Sequence, residues 1–195
     1  MLDGQLGTLA AVILAGGRAS RLHGRDKPMI AVGGVPMLTR VVGAAVEAGA
    51  APVVVVGPDR DETPAGVRVV REEPAGGGPV AAAAAGMAAI EPVGVVALLA
   101  SDLPYMSAPA LLVLMDALGN ADGALFVDEH GRRQLLCGVW NRTALRGAID
   151  AFGDTGGGSL RRLVRDLDVV EVRWDGEKAP YVDCDTEEDL RRVGL

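Results

Sequence analysis

The sequence predicts an α/β fold whose central sheet is mostly parallel. Short apolar runs alternate along the 195 residues with longer stretches of helical pattern, as expected when crossover helices connect parallel strands. The runs 9–14 and 95–100 contain no charged residue, which is typical of strands buried on both faces. No internal repeat and no clear linker divides the chain, so we predict a single domain over residues 1–195.

Strands and helices alternate through the first half of the chain. The predicted strands there cover residues 9–14, 52–56, 67–70 and 95–100. The predicted helices cover residues 36–48 and 80–90, with a loop at 76–79. Pro36 suits the first turn of its helix, and Gly49 follows the end of that helix. The second helix consists almost entirely of small residues, so we expect it to pack closely on the sheet.

The second half of the chain continues the pattern with shorter elements. Four helices are predicted here. The first follows Ser107 and ends at Leu118, and the second covers residues 143–151. The third begins after Ser159 as N-cap and ends at Arg165, and the fourth begins after Thr186 as N-cap and closes the chain. The predicted strands cover residues 124–127, 134–140, 169–174 and 181–182, with a polar turn at 128–133. The Gly-rich stretch 153–158 either closes over a substrate or is a plain linker.

Composition and charge exclude several classes of protein. With 49% hydrophobic residues the chain is globular rather than disordered. Its apolar runs are too short to span a membrane, and the net charge of −7 argues against nucleic acid or an anionic membrane as a partner. The two cysteines, Cys137 and Cys184, argue against a disulfide framework. Because the N-terminus shows no signal-peptide pattern either, we expect a cytoplasmic protein.

A basic, Gly-rich segment follows the first predicted strand. From Leu14 it reads Leu-Ala-Gly-Gly-Arg-Ala-Ser-Arg-Leu-His-Gly-Arg-Asp-Lys, ending at Lys27. Gly16 and Gly17 let backbone amides approach a ligand that a Cβ would block, and Arg21 and Lys27 can neutralise phosphate charge. The segment therefore predicts a small anionic ligand, with an ordinary solvated loop as the alternative.

The same segment departs from two common nucleotide-binding motifs. A Walker P-loop has Ser or Thr after its lysine, whereas Pro28 follows Lys27 here. The dinucleotide fingerprint G-x-G-x-x-G is also missing from the segment. Both departures argue against a P-loop ATPase and against a Rossmann oxidoreductase.

A carboxylate follows the predicted strand 95–100 directly, in the sequence Ser101-Asp102-Leu103-Pro104. Ligands of open α/β sheets bind beyond the carboxyl ends of the strands. Mg²⁺ prefers oxygen ligands and commonly uses one or two carboxylates together with phosphates and water. Asp102 is therefore a candidate Mg²⁺ ligand, and its alternative role is that of a turn or capping residue before Pro104.

A second acidic pair, Asp183 and Asp185, flanks Cys184 near the end of the chain. Alternation along an extended segment places both carboxylates on one side, where they could share a metal ion. The alternative is a helix start in which Asp185 or Thr186 is the N-cap. We interpret Cys184 as a small packed side chain rather than a soft-metal ligand, because no His or Cys lies near it in sequence.

The full pattern Leu-Ala-Gly-Gly-x-x-Ser-Arg-x-x-Gly-x-Asp-Lys resembles the signature of the MobA-like nucleotidyltransferases. The Gly-Gly pair and the Asp before the Lys resemble the molybdenum cofactor guanylyltransferase branch, since the cytidylyltransferase branch typically has Ala-Gly there. The resemblance covers nearly the whole chain and implies a three-layer, Rossmann-like nucleotidyltransferase fold. It also places the metal-binding Asp of the family at Asp102.

The resemblance implies further site residues. The nucleotide would contact Leu14, Ala15, Gly16, Gly17, Lys27, Glu72, Gly78, Pro79 and Asp102. Glu72 matches the acidic residue of the base pocket best, with Glu73 as the alternative, and Gln134 begins a stretch similar to the Gln-Pro-Leu segment near the acceptor.

The chain also departs from the family pattern at several positions. Gly57 stands where the family often has Asn, and Leu135 replaces the proline of the Gln-Pro-Leu segment. Asp183 and Asp185 stand where molybdenum guanylyltransferases often have Asn. Relatives with other substrates often have Asp there, so the exact acceptor stays open.

The activity implied by the resemblance is transfer of GMP from GTP to the phosphate of molybdopterin or molybdenum cofactor, with release of pyrophosphate. The catalytic residues would be Arg21, Lys27 and Asp102, and the cofactor would be Mg²⁺. A molybdenum-insertion protein would be a transient partner. The alternatives are CMP transfer from CTP, transfer to another phosphorylated acceptor, and a non-catalytic nucleotide-binding partner in cofactor assembly.

Overall fold

The computed structural model describes residues 8–16 and 25–194. In this part of the chain the strands are β1 (Leu9–Leu14), β2 (Ala31–Val32), β3 (Val35–Pro36), β4 (Val53–Val56), β5 (Arg68–Val70), β6 (Val95–Ala100), β7 (Gly123–Val127), β8 (Arg133–Asn141) and β9 (Val169–Arg173). The α-helices are α1 (Met37–Glu47), α2 (Gly78–Ala88), α3 (Ala108–Leu118), α4 (Arg142–Phe152), α5 (Leu160–Leu163) and α6 (Glu187–Arg192). A short 3₁₀ helix spans Lys27–Met29.

Seven of these strands form one sheet in the order β5-β4-β1-β6-β8-β7-β9. Neighbouring strands are parallel except where β8 runs antiparallel to both β6 and β7. β2 and β3 pair separately as a small hairpin. The predicted α/β class with a mostly parallel sheet is confirmed.

Helices cover both faces of the sheet. Along β1 the side chains of Ala11 and Ile13 pack in a core with α1 and α3, whereas Ala10 and Val12 pack in a second core with α2, α4 and α5. All four side chains are fully buried, as expected for a strand that is apolar at every position. The result is the predicted three-layer arrangement.

Helix α2 lies very close to the sheet, which confirms the expectation drawn from its small residues. A Cβ placed on Gly86 would overlap the Val12 side chain of β1 and lie 3.1 Å from Val56 Cγ2 of β4. Because α2 begins after β5, its first residues Gly78 and Pro79 lie at the edge of the sheet where the parallel strands end.

Replacing Gly86 with Ala is therefore expected to lower the free energy of unfolding by about 1–3 kcal/mol, the usual cost of overpacking a core. Gly43 in α1 is a matched control, because a Cβ there meets nothing within 4 Å. Gly43→Ala should raise the free energy of unfolding by about 0.5–1 kcal/mol through its higher helix propensity. Urea denaturation measures both variants, and equal stability of the two would contradict the close packing of α2.

Some element boundaries differ from the prediction. Gly78 and Pro79, predicted in a loop, form the first turn of α2. A proline is tolerated there because the N–H groups of the first turn make no hydrogen bond within the helix. Residues 181–182, predicted as a strand, form a turn in which the Val182 N–H donates to the Ala179 carbonyl, with an N···O distance of 3.2 Å. The hairpin of β2 and β3 was not predicted, because its strands are too short to show a pattern.

The N-caps predicted for two late helices are confirmed. The Ser159 hydroxyl accepts from the Arg162 N–H at the start of α5, although this helix ends at Leu163 rather than Arg165. Thr186 caps α6 in a reciprocal capping box with Asp189. In the part of the chain that the structure describes, no helix is both long enough and apolar enough to cross a membrane.

Candidate active site

An open cleft of about 930 Å³ lies at the carboxyl ends of the parallel strands β1, β4 and β6. This is the edge at which open α/β sheets bind ligands. Most of the predicted site residues line this cleft: Leu14, Ala15, Gly16, Lys27, Glu72, Gly78, Pro79, Asp102, Gln134, Asp183 and Asp185. Gly17 and Arg21 lie outside the described residues.

The register of the sheet brings the Gly-rich segment and Asp102 together. β1 and β6 pair in parallel from Leu9 opposite Val95 to Leu14 opposite Ala100, so both strands end at the same level. The Ser101 N–H then donates to the Leu14 carbonyl with an N···O distance of 3.1 Å. The residues that follow each strand, Gly16 and Asp102, therefore leave the sheet side by side.

Lys27 forms the centre of a charged cluster in the cleft. Its ammonium group donates to the Asp102 carboxylate and, over 2.6 Å between Nζ and Oδ1, to the Asp185 carboxylate. The side chains of Lys27 and Asp102 are only 18% and 16% exposed. Burial opposes the charge of Lys27, but the attraction of Asp102 and Asp185 outweighs it and raises the lysine pKa.

Asp183 adds a third carboxylate to the same cluster. The pKa of Asp183 is raised, first by burial and then by the negative charges of Asp185 and Asp102. With one ammonium among three carboxylates, the cluster carries an excess of negative charge. A bound cation would relieve this repulsion.

The segment after β9 brings both C-terminal carboxylates to the cleft. Trp174 packs edge-on against Phe126 of β7 with 5.7 Å between ring centroids, and Tyr181 packs on the same ring at 6.0 Å. The chain then passes along the cleft at Asp183 and Asp185. Because Thr186 rather than Asp185 caps α6, the Asp185 carboxylate is available for the ion pair with Lys27.

The side chain of Cys184 is buried in the interior and does not line the cleft. It is fully buried in a small core with Ile30, Val32 and Met37. Burial and the nearby Asp102 carboxylate raise the pKa of its thiol to about 11, so it is neutral at physiological pH. The interpretation of Cys184 as a packed side chain is confirmed.

The donor set of the cleft suits a hard divalent cation. Asp102, Asp183 and Asp185 offer carboxylate oxygens, and a carboxylate bound to Lys27 keeps further lone pairs. Within residues 8–16 and 25–194, no three His, Cys, Asp or Glu side chains are arranged as a ready-made metal site. Mg²⁺ does not require one, since it usually keeps several waters and takes its remaining ligands from substrate phosphates.

Glu72, rather than the exposed Glu73, lies in the cleft. Its Oε1 accepts the Gly76 N–H over an N···O distance of 3.1 Å, which fixes the carboxylate beside the N-terminus of α2. A Cβ on Gly16 would lie 3.7 Å from the same oxygen. Glu72 therefore lies close to Gly16, near enough for a Cβ on residue 16 to be in van der Waals contact with the carboxylate.

Gly57 makes a close backbone approach that accounts for its identity. A Cβ there would lie 2.7 Å from the Ala15 carbonyl oxygen and 3.1 Å from the Gly16 nitrogen. An Asn at this position would therefore displace the Gly-rich segment. The departure from the family pattern noted above matches this local packing.

The Gly-rich stretch 153–158 packs against the cleft. The Gly157 N–H donates to the Gly77 carbonyl, at the N-cap of α2, with an N···O distance of 2.8 Å. Residues 157 and 158 also lie within 4 Å of a Cβ placed on Gly78. The stretch thus contacts the Glu72 side of the cleft.

Arg60 is a further residue of the cleft, and no motif in the sequence indicates it. Its side chain is only 8% exposed and binds Asp26 and the Ala15 carbonyl. Arg60 follows β4 by four residues, so the rule that ligands bind at strand carboxyl ends could have drawn attention to it. Its partners lie 34 and 45 residues away in sequence, and no local motif indicates them.

A mostly parallel sheet with a lysine and clustered carboxylates beyond its strand ends is an arrangement that suits the binding and transfer of phosphate groups. Residues 11–172 match the family model of the MobA-like NTP transferase domain, and the chain belongs to this family. The protein is accordingly a nucleotidyltransferase.

The chain is also similar to a named relative and to solved structures. The molybdenum cofactor guanylyltransferase of Rhodobacter capsulatus is 30% identical over 95% of this chain and 94% of its own length. The molybdopterin-guanine dinucleotide biosynthesis protein A of Archaeoglobus fulgidus has a TM-score of 0.72 at 17% identity, covering 94% of this chain and 96% of that one. The 2-C-methyl-D-erythritol 4-phosphate cytidylyltransferase of Thermus thermophilus has a TM-score of 0.69 at 19% identity, covering 94% and 96%. These two structures show that the fold is shared.

Proposed function

We propose that the protein is a cytoplasmic, Mg²⁺-dependent molybdenum cofactor guanylyltransferase. It transfers GMP from GTP to the phosphate of molybdopterin or Mo-molybdopterin and releases pyrophosphate. The observation that carries the proposal is the cluster of Lys27, Asp102 and Asp185 beside Gly16 at the ends of β1 and β6. The similarity to the Rhodobacter capsulatus guanylyltransferase extends over nearly the whole of both chains and supports this choice.

The residues of the cleft have distinct roles in this proposal. Asp102 would hold Mg²⁺, with Asp183 and Asp185 as further oxygen donors, and the bound ion supplies charge neutralisation for the phosphates. Lys27 and Arg21 stabilise negative charge on the departing pyrophosphate. The amides of Gly16 and Gly17 orient the triphosphate, with Leu14 and Ala15 beside it. Alignment and charge neutralisation suffice for this chemistry without a protein nucleophile.

Guanine recognition falls to Glu72, with Gly78 and Pro79 beside it. A carboxylate can accept hydrogen bonds from both the ring N–H and the exocyclic amine of guanine. Cytosine has an acceptor in place of that ring N–H, so the same carboxylate would disfavour it. The hydrogen bond from Gly76 holds Glu72 in place before the nucleotide arrives.

The acceptor would bind on the opposite side of the cleft, where Gln134 and Tyr181 lie. Gln134 Nε2 donates to the Arg132 carbonyl over 3.2 Å, which orients the side chain at the start of β8. GTP and molybdopterin are the proposed substrates. A transient contact with a molybdenum-insertion protein would deliver or receive the cofactor.

The proposal predicts that GTP with Mg²⁺ stabilises the protein against thermal unfolding more than CTP, ATP or UTP does. A nucleotide at about 100 times its dissociation constant should add roughly 2.7 kcal/mol to the free energy of unfolding. Scanning calorimetry with each nucleotide, with and without Mg²⁺, measures this. The variant Glu72→Gln tests the assignment of the base pocket and should reduce the preference for GTP. No shift with any nucleotide would contradict the proposed site.

A CTP-dependent transferase of the same fold is the second candidate, favoured by the aspartates at 183 and 185. Stabilisation by CTP alone would favour it, and the identity of the phosphorylated acceptor would then have to be determined again. Binding of GTP without pyrophosphate release would instead favour a non-catalytic partner in cofactor assembly.

A further inference from the structure

Arg60 connects three backbone segments at the edge of the cleft. Its Nε donates to Asp26 Oδ2 over 2.6 Å, and its Nη2 donates to Asp26 Oδ1 over 2.9 Å. The same Nη2 donates to the Ala15 carbonyl over 2.8 Å, and Nη1 donates to the Pro58 carbonyl over 3.2 Å. Asp26, Ala15 and Pro58 all line the cleft.

These contacts join the two ends of the Gly-rich segment. Ala15 is the first residue after β1, and Asp26 directly precedes the 3₁₀ helix at Lys27–Met29. One planar guanidinium binds both, and its N–H groups have fixed directions. Arg60 therefore sets the separation and the relative orientation of the two ends.

The orientation of Asp26 affects Lys27 directly. The Asp26 carbonyl accepts the Met29 N–H over 2.9 Å, and the Lys27 carbonyl accepts the Ile30 N–H over 3.1 Å, so Asp26 and Lys27 belong to one tight turn. Asp26 faces Arg60 while Lys27 faces Asp102 and Asp185. A shift of Asp26 would move the Lys27 ammonium relative to those carboxylates.

The guanidinium has little capacity left for a ligand. Of its five N–H groups, Nε–H, both on Nη2 and one on Nη1 already donate to protein acceptors. Its Asp26 partner also balances its charge. Arg60 is thus suited to act through the residues that it holds rather than by contact with phosphate.

We propose that Arg60 is a positioning residue for nucleotidyl transfer, which fixes both ends of the Gly-rich segment and so holds Lys27 in its place in the cleft. The catalytic part of this inference rests on the proposed function. The structural part, the link from Arg60 to the turn at Lys27–Met29, is testable in the protein alone.

The test compares Arg60→Gln, Arg60→Lys and Asp26→Asn with Arg68→Gln as the matched control. Arg68 also donates to a backbone carbonyl, that of Ala89 over 2.8 Å, but lies on β5 outside the cleft lining. Hydrogen exchange of the Met29 and Ile30 amides reports on the turn. Steady-state kinetics with GTP separates kcat from KM.

Arg60→Gln is expected to accelerate exchange of both amides several-fold and to lower kcat by about 10- to 100-fold with a smaller change in KM, since misplacement of a charged group by about 1 Å has effects of this size. Arg60→Lys should recover part of the loss, because an ammonium pairs with Asp26 but cannot also reach Ala15 in the same geometry. The double variant Arg60→Gln with Asp26→Asn should be no worse than Arg60→Gln. Arg68→Gln should behave as wild type in both measurements.

Unchanged exchange in Arg60→Gln would overturn the proposal. The proposal would also be overturned if Arg60→Gln raised the KM for GTP at unchanged kcat while Asp26→Asn behaved as wild type. That pattern would indicate direct contact between Arg60 and the nucleotide. If the wild type transfers no nucleotide, the proposed function fails, and the exchange measurement still decides whether Arg60 holds the turn.

Discussion

Asp102→Asn is expected to lower kcat by about 10³-fold or more, while the variant still folds. The amide keeps the shape of the carboxylate but cannot hold Mg²⁺ with the same charge, and stabilisation of developing phosphate charge accounts for rate factors of this order. Asp102→Ala should remove turnover altogether. Asp102 lies within the cleft at the end of β6, so the loss follows from the site rather than from the core.

Asp150→Asn is a suitable control for this experiment. Asp150 is an exposed residue of α4 that pairs with Arg146 one turn away, and it lies outside the cleft lining. The control should keep wild-type activity. Steady-state pyrophosphate release measures both variants, and near-normal turnover of Asp102→Asn would overturn the assignment of the metal ligand.

Lys27→Met is expected to reduce kcat by about 10²- to 10³-fold, because it removes a positive charge aimed at the phosphates. It also leaves Asp102, Asp183 and Asp185 without the cation that separates them. The variant should consequently be less stable than wild type at neutral pH. Mg²⁺ alone should stabilise it more strongly than it stabilises wild type, because the ion then balances the exposed carboxylate charge.

Lys178→Met is the matched control, since Lys178 is the only other lysine of the chain. Its ammonium lies 5.0 Å from the centre of the Tyr105 ring and pairs with no carboxylate of the described residues. Calorimetry with and without Mg²⁺ compares the two variants. An equal response of both to Mg²⁺ would contradict the charge balance described for the cleft.

The sequence predicted the parts of the site that follow from local pattern. β1 and β6 are apolar throughout, so their ends were clear, and the residues that follow them, Gly16 and Asp102, could be placed at one edge of the sheet. The capping preference of Thr186 likewise placed the start of α6. These features depend on residues close together in the chain.

The contacts that complete the site depend on distant residues, and local pattern does not report them. Lys27 binds Asp185 across 158 positions, and Arg60 binds Asp26 across 34. From the sequence, Asp183 and Asp185 fit either a helix cap or a metal site. The packing of Trp174 and Tyr181 on Phe126, which precedes the passage of the chain along the cleft, joins residues that are far apart in sequence. Roles of Gly17 and Arg21 stay predictions, since both lie outside the described residues.

The most direct test of the central claim is nucleotidyl transfer by the purified wild-type protein. GTP labelled at its α-phosphate is incubated with Mg²⁺ and molybdopterin. The labelled dinucleotide and the released pyrophosphate, which carries no label, are quantified separately, with CTP labelled in the same way in a parallel reaction. The proposed function predicts one pyrophosphate per GMP incorporated, dependence on Mg²⁺, and no comparable incorporation from CTP. Incorporation of CMP in preference to GMP, or binding of GTP without any pyrophosphate release, would contradict it.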